Sequence, residues 1–188
     1  VGVSDKNRLV CVLNGGFLFH ERKASYRMSR GLVANDFLNA DNIDAIVKTY
    51  DFQDIEPFTM VIADWNEKLR FFELVWDGHQ SYFKELPLEP KIWSSSTLYS
   101  QVMKQVRQDW FEIFKSEHEL NANSMLNFHK NAGKDNDDYG VVMDRGFVKT
   151  TSITQVKKCN DSLEMHYMNL NTDETTIKGF IPIQHVNE

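Results

Sequence analysis

The sequence predicts an α+β fold of four layers, helix/sheet/sheet/helix, with two mostly antiparallel sheets. Three observations carry that prediction. Residues 58–85 hold three apolar runs separated by Asn66-Glu67 and Asp77-Gly78, the signature of an antiparallel meander. A second set of runs, Phe147 to Val156, Ser162 to Asn169 and Thr175 to Ile183, is punctuated by Asn160-Asp161 and Asn171-Thr172-Asp173. Between the sets, apolar residues recur at helical spacing from Gln101 to His118.

The elements follow in order. Val1 is not Met, and the first residues read as the end of a strand and a turn, so the chain is expected to begin inside a domain. Leu9 to Leu13 is a continuous apolar run and reads as a buried strand, which Asn14-Gly15-Gly16 breaks. Ser29 caps a helix carrying Leu32, Val33, Phe37 and Leu38. Asp41 or Asn42 starts a second, through Ile43, Ile46 and Val47. The strands Phe58 to Asp64, Lys68 to Trp76 and Gln80 to Glu85 come next, then a short strand from Ile92 to Ser95. On the long helix Val102, Val106, Trp110, Ile113 and Phe114 are read as core rather than as a cofactor box. Ser124 to His129 forms a shorter helix.

A chain of 188 residues fits one domain able to bury its own core. Apolar residues at 41% and aromatic residues at 12% are globular proportions. A net charge of −6 excludes a general nucleic-acid binder, which would carry a basic face. No stretch reaches the ~18 apolar residues of a membrane span. Cys11 and Cys159 have no paired spacing and make no zinc motif. They fit a reducing compartment, with a single disulfide as the alternative, and a cytoplasmic location is expected.

Against this acidic background, residues 20–31 hold Arg22, Lys23, Arg27 and Arg30 with Glu21 as the single acid. The segment runs into the helix start at Ser29. Cations beside free helix N–H groups favour a carboxylate or phosphate. A solvated loop paired with acidic neighbours is the alternative. Asn14-Gly15-Gly16 can aim an amide and backbone N–H groups at a ligand oxygen, as an oxyanion hole does. It can equally be a plain strand-ending turn. Ser94-Ser95-Ser96-Thr97 sits at another strand end and can donate hydroxyls to the same pocket, or simply cap a helix or turn. Asp135 to Asp138 lacks the alternation, glycine and distant Glu of a calcium loop, so no metal is expected. Cys11, inside a strand, is a poor nucleophile.

Leu13 to Gly16, His20 to Lys23, Tyr26 to Val33, Glu56 to Thr59, Trp93 to Tyr99 and Met143 to Phe147 resemble the NRDE family, also called Transport and Golgi organisation protein 2-like. The resemblance runs through most of the chain. It implies an N-terminal-nucleophile (Ntn) hydrolase-like fold. In that group an N-terminal Cys, Ser or Thr attacks and its own α-amine is the base. The family's Cys and its Asn-Arg-Asp-Glu signature are missing here, since Asn7-Arg8 is followed by Leu9-Val10. The resemblance therefore implies a domain without its first strands. By position it makes Asn14 the oxyanion-binding residue and places Ser94 and Ser95 where a second pocket residue sits. It implies two functions. One is a Cys-type amidohydrolase of nonpeptide C–N bonds, using no cofactor, with Gly15, Gly16, His20, Arg22, Arg27, Ser29 and Arg30 around an anionic substrate. The other is a non-catalytic ligand or haem carrier, with haem propionates on Arg22, Arg27 and Arg30 and His20 as axial ligand. A bare sheet edge left by missing strands predicts a homodimer or strand exchange.

Overall fold

The computed structural model describes residues 1–180 and has the expected α+β class, with four helices and two wholly antiparallel sheets. The chain folds as two compact units, Val1–Ser100 and Gln101–Glu188.

The first unit is a five-stranded sheet in the order β1 (Gly2–Ser4), β2 (Arg8–Asn14), β3 (Phe58–Asp64), β4 (Arg70–Trp76) and β5 (Ser81–Leu86). Two helices, α1 (Arg30–Asn39) and α2 (Ile43–Thr49), lie between β2 and β3 in sequence. Side chains alternate along a strand, so every second residue of β2, β3 and β4 shares a face. The register stacks these residues in rows: Val10, Ile62 and Phe72, then Val12, Met60 and Leu74. Val33 and Phe37 of α1, Ile43 of α2, and Phe52 and Ile55 complete that core. Phe52 stacks on Trp76 at 5.5 Å, and the Trp76 indole N–H donates to the Ile55 carbonyl at 2.9 Å. Ser29 and Asn42 cap the two helices through side-chain oxygens, as expected. The Asp77-Gly78 turn holds because Asp77 accepts the N–H groups of His79 and Gln80 and Gly78 takes φ +100°.

Arg8 occupies the inward face of β2 and is 2% exposed. Its guanidinium pairs with Asp64 at 2.8 Å and donates to the Phe37 and Ala40 carbonyls at 2.9 and 2.5 Å. A buried cation thus caps the C-terminal end of α1, where orphan carbonyls carry negative charge.

On the opposite face, Cys11, Val61, Glu73 and Lys84 form one cross-strand row. Glu73 is buried and takes Lys84 at 2.7 Å, Lys91 at 3.1 Å and the Trp93 indole N–H at 2.6 Å. Burial pushes this carboxyl up, but those three donors outweigh burial and hold it below its ordinary 4.5. A depressed carboxyl stabilises the fold above its unfolded pKa, and that stability is lost as pH falls through the folded value. The urea midpoint is expected to be flat above about pH 5 and to fall below about pH 4.5. A Glu73→Gln variant should show a shallower fall over the same range; an identical slope in both proteins would exclude Glu73 as a contributor.

Ile92 to Ser95 is not the expected strand. Its Trp93 turns to Glu73 and its Ser95 carbonyl takes the Tyr99 N–H, so the segment folds into a turn instead of a ladder. The strand expected from Lys68 begins at Arg70.

The second unit holds α3 (Gln101–Glu117), α4 (Ala122–Asn131) and a meander of β6 (Ser152–Cys159), β7 (Ser162–Asn169) and β8 (Thr175–Phe180). Asn160, at φ +50°, turns β6 into β7. Residues 147–151, expected in β6, belong instead to a tight loop bridged between Asp144 and Lys149, with Phe147 exposed. Ile181 to Ile183, expected in β8, lie outside the described residues. The buried face of α3 is Arg107, Phe111 and Phe114, not the face through Val102 and Ile113, which are exposed. The reason is a partner the periodicity does not contain. Arg107 donates to the Tyr139 and Gly140 carbonyls at 3.0 and 2.9 Å, while Phe111 and Phe114 pack on Phe128 of α4.

Candidate functional site

The basic segment organises around a residue that sequence reasoning did not single out, Glu56. Its buried carboxylate meets His20 Nε2 at 3.4 Å, Arg30 Nη2 at 3.2 Å and Arg22 Nε at 3.7 Å. Arg30 and His20 are each 17% exposed at the side chain, whereas Arg22 is 77% exposed. Two guanidiniums face one carboxylate, so the cluster keeps a positive excess. Burial lowers the Arg30 pKa first, Glu56 opposes that, and the neighbouring Arg22 adds to it.

Pro57 links this cluster to the Asn14-Gly15-Gly16 turn. Its carbonyl accepts the Gly15 N–H at 3.0 Å and Arg30 Nη1 at 3.3 Å. Gly15 takes φ +86°, and a Cβ there would press on Ser96 and Thr97 at 3.1 Å. Gly15 and Gly16 are buried, while Asn14 is exposed at the end of β2. The serine segment does meet this turn. Ser95 Oγ donates to the Asn14 carbonyl at 2.8 Å, and Ser96 Oγ donates to the Gly16 carbonyl. These hydroxyls fix backbone, and Ser94 is half-buried in the same segment. The sequence offers the whole run from Ser94 to Thr97 as hydroxyl donors, and the fold shows that Ser96 is the serine that reaches Gly16.

The remaining cations engage other partners. Arg27 pairs with Asp51 at 3.4 Å and donates to the Asp51 and Gln53 carbonyls. Lys23 pairs with Asp54 at 3.3 Å. Ser29 accepts the Leu32 N–H as the cap of α1. Arg27 and Ser29 therefore tie the loop to its neighbours, and Arg22 and Arg30 are the cations gathered at Glu56. Acidic partners 24 to 36 residues distant in sequence leave no local signal. The Glu56-Pro57 dipeptide, already among the residues that carry the family resemblance, was the available clue.

A haem does not fit these residues. His20 Nε2 faces Glu56, and Nδ1 is buried without a hydrogen-bond partner, so neither nitrogen is presented to an axial position. Cys11 is half-buried, and burial pushes its thiol up, away from the thiolate a nucleophile needs. No helix among the described residues is long and apolar enough to cross a membrane. No family model and no curated protein matches the chain.

Proposed function

We propose that residues 14–57 carry the oxyanion and substrate-anion groups of an NRDE-type, Ntn-hydrolase-like domain acting on a nonpeptide C–N bond. The observation that carries this reading is the Pro57 carbonyl, shared by the Gly15 N–H and the Arg30 guanidinium. It couples the turn bearing Asn14 to the cations at Glu56 through one buried dipeptide. Preorganised donors are what stabilise charge developing in a transition state. In this reading a Cys thiolate attacks the amide carbon and Asn14 donates to the resulting oxyanion. The C–N bond then breaks, the amine leaves with a proton from the α-ammonium group, and water cleaves the thioester. Exposed Arg22 holds the carboxylate or phosphate of the substrate. The nucleophile of this reading is a terminal Cys, and its own α-amine is the base.

The test is N-terminal sequencing and intact mass of the natural mature protein after iodoacetamide, then turnover of N-acyl amides that carry a carboxylate. An alkylated terminal Cys is expected, with Asn14→Ala lowering turnover about 10²–10³-fold and leaving phosphate affinity unchanged. A mature chain with no reactive terminal thiol would remove the hydrolase and leave an anion-binding protein on the same fold.

A further inference from the structure

We propose that the cleft between α3 and α4 binds a planar aromatic cation, an aryl amidine. The cleft lies wholly within the second unit and is independent of the site around Glu56. It is an open groove of about 270 Å³. That is just below the ~300–1,000 Å³ range of small-molecule sites, room for one or two rings.

Trp110, Phe114 and Phe128 supply its aromatic walls. Each ring is braced by another. Tyr139 stacks on Trp110 at 5.7 Å and 12°, His118 stacks on Phe114 at 4.4 Å and 15°, and Phe111 meets Phe128 edge-on at 5.3 Å. Walls already held in place lose little freedom when a ligand arrives. Gly133 takes φ +66°, and a Cβ there would lie 2.3 Å from the Trp110 indole, so the close seat of that ring requires glycine.

The polar groups choose the ligand's charge. Asn131 Nδ2 donates to the carbonyl and the side-chain oxygen of Asn127 at 3.0 and 2.7 Å, which leaves the Asn131 Oδ1 as an acceptor. Glu117 lines the cleft and has no ion-pair partner among the described residues. Aromatic faces attract cations, a bare carboxylate adds to that, and the whole chain carries −6. An amidinium can donate to Glu117 and to Asn131 while its ring lies on the aromatic walls.

Titrating the full chain with benzamidine, benzamide and benzoate tests this, with heat measured by calorimetry and the Trp110 and His118 side-chain signals followed by NMR. Benzamidine is expected to shift those signals and to bind at least about tenfold more tightly than benzamide, with benzoate weakest. Exposed Glu117 can be replaced without disturbing the core; Glu117→Gln should reduce the preference for benzamidine at least about threefold and leave benzamide unchanged. The assignment is overturned if benzoate equals benzamidine, if Glu117→Gln keeps the full preference, or if no probe moves the cleft signals.

Discussion

Arg8→Ala is expected to destabilise the first unit by about 3–5 kcal/mol, the cost of removing one partner from a buried ion pair. The substitution leaves the Asp64 carboxylate without its guanidinium and the Phe37 and Ala40 carbonyls without a donor. Each loss is a desolvation cost that water cannot repay in a site where Arg8 is 2% exposed. Arg8→Lys keeps the charge but cannot reach three acceptors in one plane, so it should recover less than half of the loss. Urea unfolding of the two variants, of Asp64→Ala and of the Arg8→Ala, Asp64→Ala double variant, analysed as a double-mutant cycle, measures the coupling. A loss below about 1 kcal/mol for Arg8→Ala would show that the helix end is stabilised by other groups.

Glu56→Gln is expected to act in two directions. Stability should fall by about 1–3 kcal/mol, because Arg30 and His20 lose a charged partner in a largely desolvated cluster. Under the proposed reading, Glu56 also competes with the substrate anion for Arg22 and Arg30. Removing its charge should tighten inorganic phosphate binding about tenfold at low ionic strength, with the gain fading as salt is raised. Calorimetric titration at two salt concentrations reads this directly. Weaker phosphate binding in Glu56→Gln would mean that the carboxylate positions the arginines and does not compete for them.

Local chemistry made most elements legible. Ser29 and Asn42 announce helix starts, and Asp77-Gly78 announces a hairpin, because each satisfies backbone groups within a few residues of itself. Where the deciding partner is distant, the pattern misleads. Apolar residues on α3 recur at two offsets, and the carbonyls of Tyr139 and Gly140 select the face that contains Arg107. Similarly, alternation along β2 puts Arg8 inward with Val10 and Val12, but nothing local shows that the end of α1 awaits it. For the candidate site, the turn at Asn14 and the basic run were readable as types of chemistry. Their organiser was not, since Glu56 reaches them only after β2 pairs with β3.

That pairing has a kinetic consequence. Strands β3, β4 and β5 are joined by short turns, and so are β1 and β2, whereas β2 and β3 meet only when the loop of residues 15–57 closes. Closing that loop carries the largest entropic cost in the sheet, and non-local contacts of this kind slow folding. Asn14, the basic segment and Glu56 all belong to that loop or its hinges. Any intermediate holding only the two separate hairpin sets therefore has no Glu56 cluster, and the candidate site matures in the same late step that completes the sheet.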